Sequence, residues 1–440
     1  MNKLIKVAIF GLGKSGKSAL KLAMREGYDT FAINQGKVSD WYQTENLEGL
    51  ISLDNCFSQD DFKERFPLMD FIVLSPGIPV SHSALDSALE KNIPIISEIE
   101  FAYRFVKDVP VIAITGTNGK TTTTTMISML LEKAGKKVFC GGNIGVPYCE
   151  MVLSNEKFDY AVIEVSSFQL ETIQEFHPKI ALILNIFPNH TERYDSVYDY
   201  AMAKFRLLIN MTSEDFLIAG LENPFIEEMA FSPVRRVYFT KGSLPQGFLS
   251  TFNFKESKAT GEHNEANFFA AYQVLSLLEI PNLDTLFQGF INEFKGVAHR
   301  LEFVKDFNSL KIYNDAKSTN SLATTTAIRA FKDSKEDFYL ILGGKLRNEA
   351  DKILPELLEF KKQITKIFLI GDVTERLEAE LKDDFLVEKS FKLENVLELM
   401  KKEKRKGNLI FSPGFPSFDQ FKNYVDRGEK FKEMVTQILN

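Results

Sequence analysis

VIAITGTNGKTTTTTMI, residues 111–127, is the stretch on which the fold turns. A short apolar and β-branched run ends in the glycine loop Gly116-Thr117-Asn118-Gly119. That loop feeds Lys120, Thr121 and Thr122 and a helical pattern predicted from Thr122 to Ala134. A loop that cradles phosphates needs these parts: a strand ending in glycines whose N–H groups turn inward, a helix N-terminus, a lysine for the terminal phosphates and a hydroxyl for magnesium. The strict Walker spacing is not met, because only two residues separate Gly116 from Gly119.

A second stretch competes for the same role. VAIFGLGKSGKSALKLA, residues 7–23, reads as a dinucleotide fingerprint through Gly11, Gly13 and Gly16. It also reads as a strict Walker loop through Gly11, Gly16, Lys17 and Ser18. A plainer reading is a glycine turn packing a first βαβ unit, with Lys14 and Lys17 as solvated charges.

Outward from these loops, short apolar runs alternate with helical patterns almost throughout: VAIF, FIVLS, VIAIT, YAVIEV, IALILN, FYLILG, KIFLI and NLIFS. Such alternation signals an α/β fold with mostly parallel sheets. Three blocks can be drawn, 1–107, 108–296 and 297–440, the first break falling where EIEFAYRFV gives way to KDVP. The 440 residues suffice for several cores. A formal net charge of -7 argues against broad nucleic-acid binding, which wants a basic face. Cys56, Cys140 and Cys149 form no CxxC pair, so neither a disulfide framework nor a zinc site is encoded. The basic, then apolar N-terminus runs into a glycine loop with no small-residue cleavage site, and runs such as IALILNIF are too short to span a bilayer. A cytoplasmic protein, bound to no membrane, is the expectation.

The order TGTNGKT, GGNIG, EVSSFQLE, a His before ERY, YAMAKFR, HNEAN, HR and NDAKSTN resembles the Mur ligases along nearly the whole chain. The resemblance implies three domains: an N-terminal Rossmann-like UDP-binding domain, a central P-loop-type ATP-binding domain with a mostly parallel sheet, and a C-terminal Rossmann-like domain for the incoming amino acid. GLGKSG then becomes the UDP-diphosphate loop, and GTNGKT, the imperfect match, the ATP loop. The activity implied is an ADP-forming, ATP-dependent amide ligation that adds D-glutamate to UDP-N-acetylmuramoyl-L-alanine through an acyl phosphate, in peptidoglycan precursor synthesis. Two magnesium ions and a monomer go with it. The alternatives are another Mur-type or folylpolyglutamate-type ligase, or a non-catalytic nucleotide-binding regulator. NDAKSTN followed by SFDQF favours the D-glutamate enzyme.

Each candidate residue has a chemical part. Lys120 suits the β- and γ-phosphates, with Gly116, Thr117, Asn118, Gly119 and Thr122 completing the loop, and Thr121 suits magnesium. Glu164 ends YAVIEV, the place for a metal-binding acid beside a phosphate loop; otherwise it caps the next helix. His190 alone reads as structural, and the resemblance makes it a ligand for a second magnesium. It follows Asn189 where the family has Asp, so one local negative charge is lost. Lys204 in YAMAKFRLL reads by composition as a surface lysine; the resemblance implies carbamylation by carbon dioxide to a magnesium-binding anion. The resemblance puts Asn267 near the adenine and implies ATP contacts by Arg300 and Asp315 made when domains close. Lys14, Ser15, Gly77, Asn143 and His190 are the UDP-substrate candidates. Lys317, Thr319, Arg347, Ser417 and Tyr424 are those for D-glutamate, with Lys345 as the fallback for Arg347 in GGKLRNEAD. His82, His177 and His263 read as structural.

Overall fold

The computed structural model describes residues 4–190, 193–221, 223–240, 244–254, 257, 262–332, 334–346 and 353–440, with the backbone only at 262, 263 and 322. Every apolar run predicted to be a strand lies in one. FIVL, VIAIT and FYLILG are buried at every position, as strands covered on both faces must be.

The first sheet is β1 (Lys6–Phe10), β2 (Asp29–Asn34), β3 (Cys56–Ser58), β4 (Phe71–Leu74) and β5 (Ile95–Ser97), all parallel in the order β3-β2-β1-β4-β5. The second is β6 (Val111–Thr115), β7 (Val138–Gly142), β8 (Tyr160–Glu164), β9 (Ile180–Ile183), β10 (Phe216–Gly220) and β11 (Arg235–Phe239), all parallel in the order β11-β10-β9-β6-β8-β7. In both, the chain continues to one side of the opening strand and later returns on the other. That divergence opens a crevice at the C-terminal ends of β1 and β6, where the two glycine loops begin.

The third sheet is β12 (Glu302–Phe307), β13 (Leu310–Asn314), β14 (Phe338–Gly343), β15 (Lys366–Ile370), β16 (Val387–Phe391) and β17 (Gly407–Gly414), in the order β12-β13-β17-β14-β15-β16. Only the edge strand β12 pairs antiparallel among the described strands, and its sequence, EFVKDF, is partly exposed as an edge allows. Alternate residues of the inner strands feed opposite cores: Phe338, Leu340 and Leu369 on one face, Tyr339, Ile341 and Phe368 on the other.

The chain forms two compact units, Met1–Leu249 with Ala266–Phe287, and Ser250–Glu265 with Gln288–Asn440. The first unit holds two sheets around a shared core in which Val7, Leu20 and Ile99 join Ile163 and Phe205. The second holds the third sheet. Among the described residues no helix is long and apolar enough to cross a membrane.

Candidate functional site

After β6 the backbone takes conformations that side chains resist: Gly116 has φ +145° and Gly119 φ +84°. Gly119 is the N-cap of the helix Lys120–Lys133, which starts two residues before the expected Thr122. Lys120 and Thr121 therefore stand on the first turn, where helix N–H groups have no partner within the helix. Thr122, beside them, is half-buried. The Lys120 ammonium folds back onto the loop, donating to the carbonyls of Gly116 and Thr117 at 2.9 Å each. The Thr121 hydroxyl donates to Glu164 Oε2 at 2.8 Å, and the Asn143 amide to Glu164 Oε1 at 2.9 Å. Glu164, at the end of β8 next to β6, is buried.

The loop is held from the far side by Asn185, a residue the sequence reading missed. The Asn118 N–H donates to its Oδ1 at 2.8 Å, its Nδ2 donates to the Asn118 carbonyl at 3.1 Å, and the Thr117 N–H donates to its carbonyl at 2.9 Å. Asn267 is buried on the helix Glu262–Leu277, and its Oδ1 accepts from the Thr123 hydroxyl at 3.2 Å. A Cβ on Gly119 would lie 2.6 Å from that same oxygen, so Asn267 stands directly against the loop.

The composition reading of Lys204 as a surface lysine is corrected: it is 1% exposed on the helix Val197–Phe205. Its ammonium lies 3.3 Å from the Thr115 hydroxyl at the end of β6 and 4.5 Å from the Tyr200 ring centre. Burial pushes its pKa well below the usual lysine range, the Lys120 charge adds to that, and Glu164 opposes it. Tyr200, one turn earlier on the same face, was also missed. Its hydroxyl lies 3.5 Å from Thr117 Oγ1 and hydrogen-bonds Asn189. His190, at φ +56°, packs its ring 4.8 Å from Phe168 and 5.9 Å from Tyr200, centre to centre. Lys120, Thr121, Glu164 and Lys204 are thus gathered around the end of β6, with His190 joined to them through Tyr200. Among the described residues, no three His, Cys, Asp or Glu side chains are placed to hold a metal by themselves.

The first loop is built otherwise. A Cβ on Gly16 would lie 1.8 Å from the Gly11 carbonyl, so this glycine lets the helix Lys14–Arg25 touch the end of β1. Lys17 pairs with Glu45 at 2.6 Å, and Ser18 is buried. Lys14 and Gly77 are exposed and Ser15 half-exposed.

In the second unit, Asp315 follows β13 and is buried, accepting from the Ser412 hydroxyl at 2.7 Å and the Leu301 N–H at 3.1 Å. Burial raises its carboxyl to about 7 against these bonds and the charge of half-buried Arg300. The Lys317 ammonium lies 5.0 Å from the Tyr424 ring centre, Ser417 is buried and Thr319 half-buried. Lys345 has an exposed side chain while its N–H donates to the Pro416 carbonyl at 2.8 Å. Arg347 and the His263 side chain lie outside the described residues. Arg427, 1% exposed, ties these loops by donating to the carbonyls of Phe415 and Ala316 at 2.8 Å each. It went unnoticed, though its helical spacing with Phe431 and Val435 marks a buried face. His82 accepts from the Ala84 N–H at 3.2 Å and His177 lies 2.7 Å from Asp215, which fits structural roles.

A glycine loop at a helix start, a hydroxyl facing a strand-end carboxylate and a buried lysine beside them are the parts that a phosphate-handling site in a parallel-sheet fold needs. Residues 114–275 match the Mur ligase middle domain, and residues 5–97 the Mur ligase MurD-like N-terminal domain. The UDP-N-acetylmuramoylalanine–D-glutamate ligase of Aquifex aeolicus (strain VF5) is 37% identical over 439 residues, 98% of each chain. The enzyme of that name from Caldanaerobacter subterraneus subsp. tengcongensis is 34% identical over 455 residues, again 98% of each. The MurF ligase of Thermotoga maritima, solved in complex with ADP, superposes with a TM-score of 0.57 at 16% identity, covering 99% of this chain and 96% of that one. The chain belongs to the Mur ligase family and has its three-domain α/β fold.

Proposed function

We propose that the chain is an ATP-dependent, ADP-forming ligase that joins D-glutamate to UDP-N-acetylmuramoyl-L-alanine in the cytoplasm, as a monomer, during peptidoglycan precursor synthesis. The observation that carries this reading is Glu164 held between Thr121 and Asn143 at the mouth of the GTNGKT loop, with buried Lys204 beside it. The names of relatives aligned over 98% of the chain support the substrate pair.

The terminal carboxylate of the substrate attacks the γ-phosphorus of ATP, the bond to the β-phosphate oxygen breaks, and an acyl phosphate and ADP result. The amine of D-glutamate then attacks the acyl carbon, and inorganic phosphate leaves with the acyl–oxygen bond pair while the amine gives up a proton. Lys120 and the loop N–H groups neutralise the oxygens that gain charge in the first step. Asn267 fixes the loop, and Arg300 and Asp315 are given nucleotide contacts by the family resemblance.

Magnesium, when bound, offsets phosphate charge. Thr121, Glu164, His190 and carbamylated Lys204 are the residues that would hold it, and the hydroxyl and carboxylate oxygens suit a hard cation. The neutral amine that burial favours at Lys204 adds to carbon dioxide, forming an N–C bond and releasing one proton. The carbamate supplies an anion to a donor set short of carboxylates. Lys14, Ser15, Gly77, Asn143 and His190 take the UDP substrate, and Lys317, Thr319, Arg347, Ser417 and Tyr424 take D-glutamate. The domain boundaries along the sequence fall near residues 107 and 296.

The test is phosphate release from ATP with UDP-N-acetylmuramoyl-L-alanine, screened over D-glutamate, L-glutamate, L-alanine and diaminopimelate. Turnover with D-glutamate alone is expected. Preference for L-alanine or diaminopimelate would move the chain to a sister activity.

A further inference from the structure

Two carboxylates that the chemistry above does not use are buried between the first and second sheets, inside one compact unit. Glu98 and Glu100 stand on the helix Glu98–Tyr103, which follows β5, and are 1% and 0% exposed. Each carboxylate accepts main-chain hydrogen bonds from the segment that carries the second sheet. Glu100 accepts from the N–H groups of Gln174, Glu175 and Phe176 at 2.9, 3.0 and 2.9 Å. Glu98 accepts from the Cys149 N–H at 2.5 Å, and the Cys149 thiol donates to the Glu98 carbonyl at 3.8 Å.

Cys149 closes a strap that starts at the candidate active site. The strap leaves β7 at Gly142, where a Cβ would lie 2.4 Å from the Glu164 carbonyl. The Asn143 N–H donates to that carbonyl at 2.8 Å, and its side chain to Glu164 Oε1 at 2.9 Å. Between the ends, Gly145 and Val146 are exposed and supply little packing, whereas Pro147, Tyr148 and Cys149 are buried. The Gly142 N–H donates to the Val146 carbonyl at 2.8 Å, which closes the strap into a turn, so displacement of the limb beyond Val146 is passed back to Gly142 and Asn143, and that limb has no side-chain cap of its own at Tyr148.

We infer that Glu98 is a positioning residue for ligation: it fixes the far end of the strap 143–149 and so sets the Asn143 amide on Glu164. The inference rests on the reading of Asn143 as a contact of the UDP substrate. Burial raises the Glu98 carboxyl to about 7, so an uncharged acceptor of the same shape can serve in its place. Glu100 is the built-in control, because its partners at 174–176 do not lead to Asn143.

The experiment compares Glu98→Ala, Glu98→Gln and Glu100→Gln with the parent chain by amide hydrogen exchange and by steady-state kinetics. Glu98→Ala should speed exchange in peptides covering 141–153 and leave 174–176 protected, and Glu100→Gln should do the reverse. The KM for the UDP substrate should rise about tenfold in Glu98→Ala, the effect of one lost buried hydrogen bond, with the KM for D-glutamate unchanged. Glu98→Gln should restore both. If Glu98→Ala yields no soluble protein, Glu98→Asp, which shortens the reach by one methylene, should show the same exchange pattern. Unchanged exchange at 141–153, or an equal KM rise in Glu100→Gln, overturns the inference. The exchange arm needs no substrate, so an inactive parent chain with the expected exchange pattern would count against the ligase reading and not against the strap.

Discussion

The two glycine loops differ in where the following helix starts and in what stands opposite the hydroxyl after the lysine. Both end the opening strand of a parallel sheet and lead into helices of 12 and 14 residues. In the first, the helix begins at Lys14, so Lys17 and Ser18 fall beyond its first turn, one paired with Glu45 and the other buried. In the second, the helix begins at the lysine itself, and the hydroxyl after it faces a buried carboxylate. The loop with the strict Walker spacing spends its third glycine on helix–strand contact, and the loop with the imperfect spacing sets a lysine and a carboxylate-bound hydroxyl on the first helical turn. Glycine spacing is thus a weaker guide than where the helix starts and what stands opposite the hydroxyl.

The contrast can be broken most forcefully at Lys120. Lys120→Ala should cut phosphate release by on the order of 10²–10³ or more, as losing one preorganised donor to a charge-gaining oxygen does. A smaller loss than that caused by Lys17→Ala would reverse the assignment of the loops.

Lys204 comes next. Lys204→Ala should lower turnover by on the order of 10², with partial rescue by high acetate or formate filling the vacated anion position. Turnover near normal and indifferent to these acids would return Lys204 to a packing role. Its burial also predicts a pH effect in carbonate-free buffer. Between the lowered folded pKa and the ordinary value near ~10.4, the unfolded chain binds a proton that the folded chain does not, so parental stability rises with pH. Lys204→Met should therefore melt higher than the parent by on the order of 2–4 °C below that window, with the gain shrinking as pH climbs through it. A gain that is flat with pH would contradict the buried-amine account.

Gly16→Ala should cost stability rather than catalysis. Its Cβ meets backbone at 1.8 Å, and overpacking of this kind costs about 1–3 kcal/mol. A melting temperature unchanged from the parent would mean that the first loop is not held by helix–strand contact. The smallest effect belongs to Lys17→Ala, whose partly exposed pair with Glu45 contributes about 0–1 kcal/mol.

How far the sequence disclosed all this depends on the range of the forces involved. Strands such as FIVL and VIAIT were legible because burial on both faces leaves a local apolar run. The grouping of Lys120, Thr121 and Glu164 was legible because a loop, a helix start and a strand end are local too. Lys204 was misplaced by composition because its burial comes from Thr115, 89 residues away, and from a tyrosine one turn before it. Asn185 braces a loop 67 residues earlier, and Arg427 gathers strand ends 12 and 111 residues away, so neither leaves a local pattern of its role. Strands such as RRVYF at β11, half-exposed and charged, carry no apolar run to announce them.

The most direct measurement is calorimetric binding of a non-hydrolysable ATP analogue to the parent chain, Lys17→Ala and Lys120→Ala. Affinity should be unchanged in Lys17→Ala and weakened at least about tenfold in Lys120→Ala, the share of one charge-assisted phosphate contact. Binding lost in Lys17→Ala and kept in Lys120→Ala would contradict the account and move the nucleotide to the first loop.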